Sequence, residues 1–220
     1  QSSPHSDIIS ASPDVQAPIF ELVVYRAQNS IQQEPSPAYL IPDSSRVAEV
    51  RARYSEISKG QPLIGLSWGS PKAASARQKS IPVGYWASVL KTPGVAFVNL
   101  QYGDARDALN DLAVHCQATF IEDPFIDPSG SLDAVADQIA ALDLVLTVSN
   151  TTGHLAGALG KETWIMVPPL GLGSMWYWFV DRLDSPWYAL VSLLRRQVDS
   201  DDAFMNGLSA RLKDWLSQRL

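Results

Sequence analysis

Four uncharged polar residues, 149–152, stand between a short apolar run and a stretch of small residues that contains His154. The apolar run, 144–148, is rich in β-branched residues, which is typical of a buried parallel strand. Ser, Asn and Thr before a helical pattern indicate an N-cap, and Gly160 suits the position just after the helix. Unpaired amides and the helix dipole attract anions at such a terminus, and the Thr hydroxyls and His154 add donors. The pattern predicts either an anion site or a plain helix cap with His154 at the domain edge.

The elements that position these residues form a regular alternation from Leu63 onward. Predicted strands cover 63–68, 95–101, 118–121, 144–148, 163–167 and 190–195; helical patterns cover 82–91, 105–115, 132–142 and 204–220. Such alternation produces right-handed βαβ units. We therefore predict an α/β fold with a doubly wound, mostly parallel, six-stranded Rossmann-like sheet.

The first third of the chain has a different composition. Residues 1–18 are rich in Ser, Pro and Asp, 19–27 fit either a strand or a short helix, and 28–42 carry three prolines. A helical pattern at 45–59 ends at Gly60. We expect residues 1–60 to be an irregular lead-in, a remnant or tail of a preceding domain, and residues 61–220 to be the Rossmann-like domain.

Composition excludes several classes of function. A net charge of −6 and a pI near 5.0 argue against nucleic acid or an anionic membrane as the main partner. With Cys116 as the single cysteine and three scattered histidines, neither a disulfide framework nor a zinc site is expected. No run has the length of a membrane span and residues 1–17 do not resemble a signal peptide, so a cytoplasmic protein is expected.

Ligands of doubly wound sheets bind outside the carboxyl ends of the strands. The residues expected there are 68–70, 101–103, 122–123, 149–152 and 168–173. These loops are rich in Gly, hydroxyl and polar groups, which suits a nucleotide or phosphorylated ligand. Since neither GxGxxG at the first strand nor GxxxxGK[ST] occurs, a dinucleotide dehydrogenase and a P-loop NTPase are disfavoured.

Six blocks resemble, in order, the glycosyltransferases found fused behind tetratricopeptide repeats in bacteria. The blocks are LIGLSWGS, SIPVGYWASVL, GVAFVNLQYGD, IAALDLVLTVSNTTGHLAGALGK, TWIMVPP and DSPWYALVSLLRRQ. Those enzymes are similar to ADP-heptose:lipopolysaccharide heptosyltransferases and, more distantly, to O-GlcNAc transferase. The resemblance covers 63 to about 197 and implies the C-terminal, donor-binding half of a GT-B fold, in which two Rossmann-like domains face a cleft.

The resemblance also implies roles for individual residues. Lys79 would be catalytic by stabilising charge on the leaving nucleotide, a solvated loop lysine being the alternative. The donor-binding residues would be Trp68, Gly69 and Ser70 in the first loop, Gln101 and Tyr102 near the nucleoside, and Asn150, Thr151, Thr152 and His154 at the diphosphate. Many relatives have Asp-Thr where this chain has Ser149-Asn150. The residue types of the aromatic run 176–178, apart from any resemblance, predict either contact with a sugar or packing in the core or between domains.

The function implied is a nucleotide-diphosphate-sugar-dependent glycosyltransferase, or its donor-binding half, acting without a metal or other cofactor. Its partners would be the donor and an unknown glycan, lipid-linked or protein acceptor, and a tetratricopeptide-repeat or other N-terminal domain is a further candidate. Residues 1–60 are too few for a second Rossmann-like domain, so the acceptor-side base is expected to be missing. The alternatives are an inactive nucleotide-sugar-binding scaffold and a GT-B nucleotide-sugar 2-epimerase.

Overall fold

The computed structural model describes residues 37–70, 76–169, 175–197 and 201–219. For residues 76, 77 and 104–106 it describes the backbone alone. The predictions for residues 1–36 and 170–173 lie outside these ranges.

One sheet of six strands organises the described chain, in the order β3-β2-β1-β4-β5-β6. The strands are β1 (Leu63–Ser67), β2 (Ala96–Asn99), β3 (Thr119–Ile121), β4 (Leu144–Val148), β5 (Thr163–Val167) and β6 (Val191–Arg195). Every neighbouring pair is parallel. All residues of β1, β4 and β5 are buried, as expected for apolar strands covered on both faces. The predicted α/β, doubly wound, parallel fold is confirmed.

Helices connect the strands. They are α1 (Ser44–Ser58), α2 (Ala76–Lys79), α3 (Ala87–Leu90), α4 (Asn110–His115), α5 (Leu132–Ala140), α6 (Thr151–Ala158) and α7 (Asp201–Ser217). Short 3₁₀ segments cover Val83–Trp86, Gly103–Leu109 and Trp176–Trp178. None of the described helices has both the length and the apolar character needed to cross a membrane.

Hydrophobic contacts divide these helices between the two faces of the sheet. One face packs against α3, α4 and α7, through residues such as Val89, Ala113 and Leu208. The other face packs against α1, α5 and α6, through residues such as Tyr54, Ile139 and Ala156. Helix α1 thus packs in the same hydrophobic cluster as α5 and α6, through Val50 and Tyr54.

Three predicted helices differ from the observed ones in detail. The helical patterns at 82–91 and 105–115 each begin as a 3₁₀ segment and become α-helical only at Ala87 and Asn110. Helix α7 begins at Asp201, three residues before the apolar pattern, because Asp201 and Asp202 favour its first turn. Leu132, the first residue of α5, is 62% exposed and lies one turn before the buried Val135.

Candidate functional site

The loops after β1 and β4 meet at the centre of the carboxyl edge. These strands are neighbours, and the chain leaves β1 toward β2 on one side and leaves β4 toward β5 on the other. Such a reversal of strand order opens a crevice in which doubly wound proteins bind ligands. Residues 68–70 and 149–152 flank it, as the sequence predicts.

Asn150 joins the two loops. As the N-cap of α6, its Oδ1 accepts from the Gly153 amide at 3.3 Å and from Thr147 Oγ1 at 3.0 Å. Its Nδ2 donates to Ser67 Oγ at 2.8 Å and to the Gly69 carbonyl at 3.1 Å. These bonds use both donors and both acceptor positions of the carboxamide. The Asn150 side chain thus holds the two loops together, and its contact with a diphosphate stays a prediction.

The carboxamide of Gln101 is likewise hydrogen-bonded to backbone groups, here those of the first loop and of Tyr102. Its Oε1 accepts from the amides of Trp68 at 2.9 Å and Gly69 at 2.8 Å, and its Nε2 donates to the Tyr102 carbonyl at 2.9 Å. The next amide, that of Ser70, donates to Ser80 Oγ at 3.1 Å. The three backbone amides of the first loop are thus bonded within the protein.

The side chains of this loop divide between core and surface. Trp68 is 2% exposed and belongs to the core beneath the sheet. The Ser70 and Tyr102 side chains are half-buried. Ser70 and Tyr102 thus stay candidates for ligand contact, whereas Trp68, Gly69 and Gln101 shape the loop.

The first two amides of α6 are the uncommitted donors of the site. The Gly153 amide is capped by Asn150, whereas those of Thr151 and Thr152 donate to no other group in the described part of the chain. Thr151 is exposed and Thr152 is buried. A Cβ on Gly153 would lie 2.9 Å from Ile165 Cδ1, so the missing side chain lets this end of the helix approach the sheet. The terminus thus offers amides, the Thr151 hydroxyl and the positive end of the helix dipole.

His154 lies in the first turn of α6 among aromatic rings. Its Nδ1 is 3.0 Å from the Tyr188 hydroxyl, and its ring stacks on Trp178 with centroids 4.7 Å apart. The Tyr177 ring meets it edge-on at 4.9 Å. Burial, and secondarily the positive charge of Lys79, lower the pKa of His154 below its usual 6.5. The imidazole is therefore neutral at pH 7.

Lys79 lies in the segment that follows the first loop and is tied to it through Ser80. It is the last residue of α2 and is half-buried, and its charge acts on His154. The carbonyls on either side of it, those of Gln78 and Ser80, each accept from Arg196 Nη1 at 3.1 Å. Arg196 in turn forms a bidentate ion pair with Asp201. These bonds, with that of Ser80 to the Ser70 amide, hold the segment that carries Lys79 near the carboxyl end of β1.

Two acidic residues near this edge, Asp123 and Asp201, form ion pairs with arginine side chains. Asp123 is bound by Arg53 at 2.7 Å and by the Tyr54 hydroxyl at 2.8 Å. The chain contains one Asp-x-Asp tripeptide, 199–201, of which the structure describes Asp201, the partner of Arg196. No cluster of three metal-ligating side chains occurs among the residues described.

Two contacts at this edge were not predicted from the sequence. The Trp178 indole donates to Ser149 Oγ at 2.8 Å. Tyr188 bonds to His154 and also lies against Gly157, whose Cβ would be 2.5 Å from its ring. Because both contacts join residues far apart in sequence, no spacing could have indicated them.

Comparison with known proteins gives one curated relative and a set of similar folds. Protein FlbA of Caulobacter vibrioides is 39% identical over 159 residues, which is 70% of this chain and 25% of FlbA. No protein-family profile matches the chain.

Two solved structures are similar in fold. E. coli ADP-heptose LPS heptosyltransferase II superposes with a TM-score of 0.60 at 19% identity, covering 88% of this chain and 57% of that one. A glycosyltransferase family 9 protein from Veillonella parvula has a TM-score of 0.55 at 13% identity, covering 82% and 54%. The chain thus spans a quarter of FlbA and just over half of each solved chain. It shares its α/β fold with part of each of these two glycosyltransferases.

Proposed function

We propose that this chain is the donor-binding half of a GT-B glycosyltransferase and that it binds a nucleoside diphosphate sugar. The observation that carries the proposal is the pair of uncommitted amides, on Thr151 and Thr152, at the strand crevice beside Lys79. The fold shared with two glycosyltransferases supports it.

In this proposal the diphosphate lies against the N-terminus of α6. The amides of Thr151 and Thr152 and the Thr151 hydroxyl donate to phosphate oxygens, and the helix dipole adds to their attraction. Gln101 and Asn150 hold the two flanking loops at a fixed separation. Because these donors are fixed before the ligand arrives, little reorganisation opposes binding.

Transfer breaks the bond between the anomeric carbon and the β-phosphate oxygen, and the bonding electrons stay on that oxygen. The Lys79 ammonium and the end of the helix would stabilise the resulting charge, the work that a divalent cation does elsewhere. The acceptor hydroxyl attacks the anomeric carbon and loses its proton to a base, which we assign to a second domain. The acceptor is a glycan, a lipid-linked sugar or a protein.

Proline substitution offers a sharp test of the amide site. Thr151 is the first helical residue, where proline is tolerated, and Asn150 before it is already extended, with φ −143° and ψ −174°. Thr151→Pro therefore removes the amide donor with the helix start intact, whereas Thr151→Ala removes only the hydroxyl. Each lost charge-assisted bond is worth about 1.5–3 kcal/mol, so we expect Thr151→Pro to bind about 10- to 100-fold more weakly than Thr151→Ala.

The measurement is calorimetry with UDP, GDP, ADP and CMP and their sugar conjugates. Lys79→Ala is expected to weaken binding by at least tenfold, in a salt-dependent manner, since it removes an ionic contact. The matched control is Lys91→Ala. Lys91 is exposed and precedes β2, and it therefore lies toward the opposite edge of the sheet. Equal affinities for Thr151→Pro, Lys79→Ala and the parent would overturn the proposed site.

A further inference from the structure

The three aromatic residues of the 3₁₀ turn Trp176–Trp178 lie at three depths. Trp178 is 1% exposed, Tyr177 is half-buried, and Trp176 is 56% exposed. Successive residues of a 3₁₀ helix point about 120° apart, so one turn directs the rings to different sides. Packing thus accounts for Trp178, whereas more than half of the Trp176 side chain is exposed.

This turn is held firmly by its neighbours. The Trp187 indole donates to the Tyr177 carbonyl at 2.8 Å, and Arg195 Nη2 donates to the Trp178 carbonyl at 2.8 Å and to that of Phe179. Phe179 has a φ of 48°, a conformation that bulky residues rarely adopt. A backbone conformation of this kind persists only where the surroundings enforce it. Trp176 is therefore presented on an anchored turn.

The orientation of the neighbouring rings leaves the Trp176 indole open. Tyr177 meets it at 78° with centroids 5.4 Å apart, and Trp187 meets it at 80° and 6.4 Å. Neither ring stacks parallel to it. A fixed, exposed indole offers a large apolar surface that loses little conformational entropy when it binds.

The indole is continuous with the proposed diphosphate site. Its contact partner Tyr177 lies 4.9 Å from the His154 ring, and His154 is in the first turn of α6. In a nucleotide sugar, the sugar is bonded directly to the β-phosphate. A diphosphate at the N-terminus of α6 therefore places the sugar ring within reach of this aromatic surface.

We propose that Trp176 is a stacking platform for the sugar ring of the donor, whose C–H faces are apolar. The inference rests on the proposed function and adds a residue that distinguishes nucleotide sugars from bare nucleotides. Trp176 contacts the sugar, whereas Tyr177 and Trp187 position the indole.

The test compares each nucleoside diphosphate with its sugar conjugate: UDP with UDP-glucose, GDP with GDP-mannose, and ADP with ADP-glucose. Calorimetry on the full chain gives the affinity of both members of each pair. Trp176→Ala should lower the affinity for the best nucleotide sugar about 2- to 10-fold and leave the affinity for the bare diphosphate unchanged. Trp176→Phe, which keeps an aromatic face, should recover most of the loss. Leu190→Ala is the control, because Leu190 is 53% exposed and precedes β6 at the other edge.

The outcomes separate the two proposals. If the diphosphates bind but Trp176→Ala leaves the sugar affinity unchanged, the platform is wrong and the proposed function stands. If Trp176→Ala weakens the diphosphate as much as the sugar, the platform is wrong as well. If no diphosphate or conjugate binds, the proposed function falls and the platform falls with it. Melting temperatures of all variants identify any loss that comes from unfolding.

Discussion

The Nδ2 atom of Asn150 lies 2.8 Å from the Oγ atom of Ser67, and this bond joins the ends of β4 and β1. Both residues are buried, at 7% and 0% exposure, so water cannot replace the partner that either would lose. The site is therefore built on a bond between two strands and on a cap within one helix, both made by a single carboxamide.

Substitution of Asn150 should distinguish these two tasks. Asn150→Ala loses the cap and leaves Ser67 and Gly69 without their partner, so we expect a loss of about 1–3 kcal/mol in unfolding free energy. Asn150→Asp keeps a good cap but loses both donors and places a carboxylate oxygen against the Gly69 carbonyl. Urea denaturation at pH 7 should show that Asp fails to restore stability. Full recovery by Asp would show that the cap alone matters.

Glycine positions in two helices give a matched pair of stability changes. A Cβ on Gly157 would lie 2.5 Å from the Tyr188 ring, and we expect Gly157→Ala to destabilise by about 1–3 kcal/mol through overpacking. A Cβ on Gly207 in α7 would meet nothing within 4 Å. Gly207→Ala should therefore stabilise by about 0.5–1 kcal/mol through helix propensity. Thermal or urea unfolding of both variants checks the opposite signs.

The lowered pKa of His154 makes stability depend on pH. Burial first, and then the charge of Lys79, keep the folded-state pKa below the unfolded value of 6.5. Below pH 6.5 the unfolded chain therefore takes up a proton that the folded chain resists. The stability contributed by neutral His154 is present above pH 6.5 and is lost as the pH falls through the folded pKa. Unfolding free energies between pH 5 and 8 should show this decline, and His154→Gln should reduce it.

Removing the charge of Lys79 should raise the pKa of His154. Lys79→Met keeps much of the side-chain volume and removes the ammonium that opposes imidazolium formation. An NMR titration of the His154 ring protons measures the shift directly, and added salt should shrink the difference between parent and variant. An unchanged titration would contradict the proximity of the two residues.

Donor binding should not require a divalent metal. The affinity for the best nucleotide sugar, measured in EDTA and then with magnesium or manganese, should agree within a few-fold. Asp201, the described end of the Asp-x-Asp tripeptide, is already paired with Arg196. A strict metal requirement would contradict the assignment of Lys79 and α6 to the diphosphate.

The sequence predicted those features that are set by local pattern. The strand–turn–helix unit from Leu144 to Ala158 follows from an apolar run, a cap residue and small residues with a terminal glycine, all adjacent in the chain. The parallel sheet follows from the alternation of such units.

The hydrogen-bond partners of the polar side chains could not be predicted in the same way. Gln101 and Asn150 have side chains that suit a ligand, but their partners are backbone groups at the end of another strand. The residue type is the same whether a carboxamide binds such backbone groups or faces a diphosphate, so the sequence does not distinguish the two arrangements. The contact of His154 with Tyr188 was missed for the same reason.

The amides of Tyr39 and Leu40 both donate to the carbonyl of Ala158, the last residue of α6. Tyr39 also stacks on Tyr188, and Ala38 lies against Gly160. A pull on the chain at residue 37 would therefore load the C-terminal end of the helix whose N-terminus we assign to the diphosphate. The short segment Ala38–Leu40 is thus mechanically coupled to the helix on which we propose that the donor binds.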